Sequence, residues 1–283
     1  MADSLHIHGS GRTLQMLKTL QSADGTKISA ETFGDGRYTF VLAHGFTGSR
    51  ERPAVRANAE WFSQAGRVVL FDQRGHGKSS GKCSFGLNEP MDIDAVVGWA
   101  RELSDKPIIT VGFSMGSAVA IRHAALTQNH GVGTPVDHAI PVQHAPDATM
   151  VVGATSQWYY KGTDVMAKLH TLSSSPFGRL LIRWRRGVTL DLHAWAPEGS
   201  PREQLPIDPA EAASLMRNPL LIVHGELDNY FPVAHAELLL ASARRGGNIR
   251  SELWVEAGMG HAERATSEPL VTRMIAWADG QLG

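Results

Sequence analysis

Ile108-Ile109-Thr110-Val111-Gly112-Phe113-Ser114-Met115-Gly116-Ser117-Ala118-Val119-Ala120 is the stretch that decides the fold. Its first half is a short apolar, β-branched run that reads as a buried strand, and its second half is a helix-forming, alanine-rich segment. Between them lies Gly-x-Ser-x-Gly, which sets Ser114 on a sharp strand-to-helix corner. The glycines have a steric reason: a strained turn wedged between strand and helix leaves no room for a Cβ at Gly112 or Gly116. The helix that starts behind Ser114 turns its free N–H groups and positive dipole end toward the place where negative charge would develop. Such a corner suits a nucleophile.

Working outward, the same alternation recurs. Tyr38–Ala43 and Arg67–Phe71 read as buried strands around a helix-like segment at 52–65, and a helix at 89–104, opened by Pro90, leads into the strand before Ser114. Upstream, 14–21 and 27–33 pair as a hairpin across Ala23-Asp24-Gly25. Downstream, strands at 148–154, 219–223 and 253–255 alternate with helices at 233–244 and at the end of the chain, where Leu270, Val271, Met274, Ile275 and Trp277 keep helical spacing. Residues 157–217 differ in character. They include Trp158-Tyr159-Tyr160, Leu169, Leu172, Phe177, Leu180, Leu181, Trp184 and Trp195, with prolines after 195, and they read as a helical lid inserted in a sheet domain formed by 1–156 and 218–283.

Composition bounds the function classes. The 283 residues carry 27 Lys and Arg against 28 Asp and Glu, a balance that gives no electrostatic reason to invoke nucleic acid. A chain of this size buries roughly three quarters of its unfolded surface, so its core needs neither disulfides nor metals. One cysteine, Cys83, rules out an internal disulfide and fits a reducing compartment, so the expected location is the cytoplasm. No apolar run approaches a membrane span, and the first residues do not read as a signal peptide, so no membrane partner is expected. Gly77-Lys78-Ser79 resembles the tail of a phosphate-binding loop, but that motif needs glycine where Asp72 stands. A tight turn in which Asp72 and Arg74 tie down the backbone or each other is expected instead. His130, His138 and His144 have no metal-ligand spacing and are expected to be solvated loop residues. No metal is expected.

Candidate functional residues sit just past the carboxyl ends of strands, the edge at which sites assemble in open parallel sheets. The strand at 38–43 exits through His44-Gly45-Phe46-Thr47-Gly48, whose glycines let the backbone curl closely past its neighbours, either to turn the Phe46 N–H toward Ser114 or as a plain strand exit with no chemistry. The strand at 219–223 exits through His224-Gly225-Glu226-Leu227-Asp228, and that at 253–255 through Gly258-Met259-Gly260-His261. A serine hydroxyl needs a neighbouring base to become a nucleophile. An imidazole supplies one, and a carboxylate on its other nitrogen fixes the tautomer. Ser114, Asp228 and His261 form that ordered set. His44, His76, His224 and His235 are rival bases, but none follows a late strand through a glycine turn. Glu226 rivals Asp228, but it lies two positions nearer the strand and faces another way.

The order Ser, Asp, His resembles that of the alpha/beta-hydrolases, and the likeness runs from His44-Gly45 through Gly112-Phe113-Ser114-Met115-Gly116 to Asp228 and Gly260-His261. It points to the lid-bearing esterase, lipase and acylaminopeptidase-like group. The resemblance implies a mostly parallel central sheet of about eight strands with helices on both faces and a helical lid. It also implies an oxyanion hole made by the N–H groups of Phe46 and Met115, and no cofactor. The reaction expected is hydrolysis of a carboxylic ester of a small to medium apolar substrate through an acyl-enzyme on Ser114. The same triad also serves thioester, amide or carbon–carbon hydrolysis and perhydrolysis, and a hydrolase scaffold can serve as a non-enzymatic binding protein. Trp158, Tyr159, Tyr160, Trp184 and Tyr230, with Phe46, are the expected lining of an apolar pocket. Arg183-Trp184-Arg185-Arg186 is the one basic cluster, read as a solvated helix face or a receiver of anionic substrates.

Overall fold

The computed structural model describes residues 5–6, 15–129, 135–191 and 205–283. His130, Trp195 and part of the expected lid lie outside the described residues. The strands are β1 (Leu5–His6), β2 (Gln15–Gln21), β3 (Lys27–Phe33), β4 (Tyr38–Ala43), β5 (Gly66–Phe71), β6 (Ile108–Phe113), β7 (Ala148–Val152), β8 (Leu220–Gly225) and β9 (Ser251–Glu256). They form one sheet in the order β1-β2-β3-β5-β4-β6-β7-β8-β9. The hairpin end is antiparallel and β5-β4-β6-β7-β8-β9 is parallel. The eight expected strands are thus joined by the two-residue β1 at the edge.

Every residue of β4, β6, β7 and β8 is buried, because helices cover both faces of these central strands. On one face α1 (Pro53–Phe62) and α9 (Glu268–Leu282) pack through Val55, Phe62, Val271 and Met274. On the other lie α2 (Pro90–Leu103), α3 (Met115–Gln128) and, beyond the four-residue α4 (Pro135–His138), α8 (Ala234–Arg245). α3 is buried from Met115 to Thr127, which is why it is rich in alanine and lacks a polar stripe.

Two helices, α5 (Asp164–Ser174) and α6 (Pro176–Arg186), lie between β7 and β8 in sequence and pack on each other as a hairpin. Thr163 caps α5 by accepting from the Met166 N–H, and Ser175 caps α6 by accepting from the Gly178 N–H. The expected insertion runs further in sequence, to 217, than the helical pair does. α7 (Pro209–Leu215) packs against α3 and α8 and places Ala212 and Ala213 in the main core. No described helix is long and apolar enough to cross a membrane.

The turn after β5 is a tie-down. Asp72 accepts from the N–H groups of Arg50 and Lys78 at 2.8 and 2.9 Å. Arg74 pairs with Asp92 and Asp24 rather than with Asp72. His138 and His144 are both exposed, and His144 Nδ1 also donates to Asp94 Oδ2 at 3.0 Å.

Candidate active site

The corner at Ser114 is strained in the way its glycines imply. Ser114 has φ 52° and ψ −117°, a left-handed conformation that costs a side-chain-bearing residue about 1–3 kcal/mol. It is held there because its N–H donates to Val152 O at 2.9 Å and its carbonyl accepts from the Ser117 N–H at 3.0 Å. Ser117 Oγ locks the corner from behind by donating to Gly112 O at 2.7 Å. A Cβ on Gly112 would lie 2.5 Å from Gly116 O and 2.6 Å from Ser117 Cα, so the helix can fold back on the strand only with glycine there.

The three expected polar residues converge on this corner. His261 Nε2 is 2.8 Å from Ser114 Oγ, and His261 Nδ1 is 2.6 Å from Asp228 Oδ2. Asp228 Oδ1 accepts from the Tyr230 and Phe231 N–H groups at 2.8 and 3.1 Å, and its side chain is fully buried. Burial pushes the Asp228 carboxyl up, but the hydrogen bond and charge of His261, together with the two N–H donors, outweigh it and hold the group below the usual carboxylate range. An ionised Asp228 only accepts, so the imidazole proton sits on Nδ1 and leaves Nε2 to accept from Ser114 Oγ–H. Tyr230 stacks on the imidazole at 4.2 Å between centroids and restricts its rotation. His224 backs the carboxylate, with Nε2 at 3.6 Å from Asp228 Oδ2 while donating to Phe231 O at 2.9 Å.

The rival residues are engaged elsewhere. His235 Nδ1 accepts from the Ser156 N–H, His76 Nδ1 donates to Arg74 O, and exposed Glu226 accepts from the Gly258 N–H. His44 has a task of its own. Its Nε2 accepts from the Gln73 N–H at 3.1 Å, which leaves Nδ1–H to donate to Gly45 O at 2.8 Å. The Gly48 N–H also donates to Gly45 O, at 2.9 Å. A trans peptide points its N–H opposite its C=O, so fixing Gly45 O on one side directs the Phe46 N–H to the other. Met115, as first residue of α3, has no helical partner for its own N–H. Neither of these N–H groups meets an acceptor among the described residues. Both residues, with Ser114 and His261, border one cavity of about 660 Å³.

That cavity runs beneath the α5–α6 pair. Met166, Leu169 and Leu172 of α5 and Leu181 and Ile182 of α6 form its roof, with Trp158, Phe85 and Tyr230 at the sides. Of the expected aromatic lining, Phe46, Trp158 and Tyr230 border this cavity and three residues do not. Tyr160 packs on His235 and behind Phe231, neither it nor Tyr159 is among the residues bordering the cavity, and Trp184 is 77% exposed on the outside of α6. The reason is helix phase: Ile182 faces inward, and Trp184 lies about 200° further round the same helix. The aliphatic roof was not singled out from the sequence, because leucines at helical spacing read the same in a core as in a cavity wall. Glu263 was missed altogether. Its Oε1 accepts from the Gly45 N–H at 2.5 Å, and it borders the cavity beside Ser114. Only its position two residues after His261 hinted at this.

Cys83 is buried 3.8 Å from Met115 Sδ, and burial pushes its thiol well above the ordinary range, so it holds no reactive thiolate. No group of three or more His, Cys, Asp or Glu able to hold a metal occurs among the described residues.

A serine on a strand-to-helix corner at the carboxyl edge of a mostly parallel sheet, with histidine and aspartate arriving from later strands, defines the class as a hydrolase-type α/β protein. The sequence pattern of the alpha/beta hydrolase family matches residues 40–270, and the chain belongs to that family. It is 29% identical over 222 residues to a monoacylglycerol lipase of Mycolicibacterium smegmatis, an alignment covering 73% of this chain and 75% of the relative. Among solved structures it is similar to an esterase of Pyrococcus furiosus, with TM-score 0.69, 21% identity, and 96% and 94% of the two chains covered. It is also similar to an esterase of a Rhodococcus species, with TM-score 0.64, 19% identity, and 94% and 99% covered. At these identities the structural likenesses speak for the fold.

Proposed function

We propose that the protein is a serine hydrolase that cleaves a carboxylic ester with a small to medium apolar acyl chain. The observation that carries this reading is the unbroken hydrogen-bond chain from Ser114 through His261 to an ionised Asp228, at 2.8 and 2.6 Å. In the proposed reaction Ser114 Oγ attacks the carbonyl carbon while its proton passes to His261 Nε2. The oxyanion is met by the N–H groups of Phe46 and Met115, each donor contributing about 10²–10³ in turnover. Collapse of the tetrahedral adduct breaks the C–O bond, and His261 returns its proton to the departing alcohol. A water then gives a proton to His261 and attacks the acyl-Ser114 carbon; collapse breaks the C–Oγ bond, the acid leaves and His261 returns the proton to Ser114 Oγ. Asp228 holds the imidazole in the required tautomer throughout and stabilises the imidazolium.

The aliphatic roof of the cavity supports an unbranched acyl chain lying under α5 and α6. The monoacylglycerol lipase relative supports a glycerol monoester as the first natural substrate to try. Hydrolysis of a p-nitrophenyl ester series of increasing acyl length, with Ser114→Ala and a serine-directed phosphonate alongside, tests the reading. Turnover lost in the variant, with label on Ser114, is expected. Clean labelling without ester turnover would redirect the search to thioesters, amides and carbon–carbon bonds. No label on Ser114 would sink the hydrolase reading.

A further inference from the structure

α6 is apolar on two opposite sides. Gly178 and Ile182 face inward and are buried, while Phe177, Leu180 and Trp184 stand 75%, 64% and 77% exposed. These three recur at i, i+3 and i+7, so they form one stripe along the outer surface, directed away from the buried side. Arg179 and Arg183 line one edge of that stripe and Arg185 the other, while Arg186 lies one turn beyond Ile182 on the cavity side. None of the four meets a carboxylate among the described residues. From Val165 to Leu190 the sequence holds five Lys and Arg and no Asp or Glu, although the whole chain has a net charge of −1. Water is a poor solvent for such a stripe, and scattered surface hydrophobics do not account for three large ones in line.

We propose that the outer face of α6 docks on an anionic lipid surface. A helix lying in the headgroup plane needs what this one has: Trp, Phe and Leu to enter the acyl boundary, with arginines beside them to reach phosphate oxygens. A second copy of the chain is the poorer occupant, because face-to-face pairing of α6 would set six arginines together. The position of the helix gives the docking a use. Leu181, Ile182, Arg185 and Arg186 of the same helix border the cavity above Ser114, so a lipid interface on α6 would lie one helix away from the site. The arginine cluster, read from sequence as a solvated face or an anion receiver for substrate, becomes the polar margin of an interfacial helix. The protein then visits membranes without crossing them.

Flotation with vesicles of phosphatidylcholine alone, and of phosphatidylcholine mixed with phosphatidylglycerol, tests this on the full chain. Binding to the mixed vesicles is expected, weakening in high salt. Phe177→Ser, Leu180→Ser and Trp184→Ser combined should lower the partition coefficient about a hundredfold. Arg179→Gln and Arg183→Gln should each cost about fivefold on anionic vesicles only. The triple variant should keep its turnover of a short, water-soluble ester and its circular dichroism spectrum, which shows that it is folded. Ser114→Ala should bind vesicles as the parent does, so docking and hydrolysis stand or fall separately. Absence of binding to anionic vesicles, or equal and salt-independent binding to both kinds, overturns the proposal. So does a concentration-dependent dimer that disappears in the triple variant, since the face would then be a self-interface.

Discussion

Asp228→Asn changes one atom and should remove nearly all activity, for a reason that can be followed donor by donor. The Tyr230 and Phe231 N–H groups both donate to Oδ1, at 2.8 and 3.1 Å. In the variant the amide oxygen keeps that place, because turning the NH₂ toward two N–H donors would forfeit both bonds at roughly 1–3 kcal/mol each. The NH₂ is therefore presented to His261 Nδ1 across a contact of 2.6 Å. That nitrogen must now accept, which moves the imidazole proton to Nε2. A protonated Nε2 cannot take the proton of Ser114 Oγ, 2.8 Å away. Restoring the working tautomer would set N–H against N–H. The expected loss in kcat is about 10⁴-fold, the size of a tautomer error in a triad, or about 5.5 kcal/mol at 1.36 kcal/mol per decade. KM should change little, since no substrate contact is altered, and thermal stability should stay close to the parent's because the side chains are isosteric. Steady-state hydrolysis of a short p-nitrophenyl ester, with the Ser114→Ala rate subtracted as background, measures it. A variant within tenfold of the parent would refute the reasoning and release Asp228 from its role.

Three further outcomes follow from the same geometry. Glu263→Ala should lower kcat about tenfold with KM nearly unchanged, because the Gly45 N–H loses its acceptor and the loop carrying Phe46 slackens; Glu263→Gln keeps an acceptor and should stay near the parent, and equal losses in both variants would show that charge rather than positioning matters. Leu172→Trp, which fills part of the roof, should move the acyl-length optimum of kcat/KM toward shorter esters while the shortest are turned over as before, and an unmoved optimum would place the acyl chain elsewhere. Burial drives the imidazole of His44 down to about 4 and that of His76 to about 3 from an ordinary 6.5. Between pH 6.5 and about 4 the unfolded chain therefore binds a proton at each that the folded chain refuses. Stability must fall with falling pH in that window, at about 1.4 kcal/mol per pH unit for each histidine. Urea unfolding at pH 7 and pH 5 should differ accordingly, and equal stabilities would contradict the burial of these neutral rings.

What the sequence determined by itself was everything encoded in local pattern. Strand and helix periodicity announced the order of elements, because a buried parallel strand has to be apolar throughout and a covered helix has to be small and apolar. The glycines at 112 and 116 announced the corner, since only a residue without Cβ fits there. Ser114, Asp228 and His261 were legible because each follows a strand, and parallel strands bring their carboxyl ends to one edge whatever lies between them in the chain. The tertiary structure alone decided what depends on rotation and on contact between distant segments. Trp184 and Ile182 are two residues apart, and only the packing of α6 on α5 settles that Ile182 faces the cavity and Trp184 the solvent. Glu263 became part of the site because its loop returns to Gly45, 218 residues away in the chain, which no spacing rule reaches. α7 left the expected insertion for the core because Ala212 and Ala213 meet α3 and α8 there. Periodicity says that a face is apolar, but which neighbour covers it, or whether any does, is fixed only once the whole chain has folded.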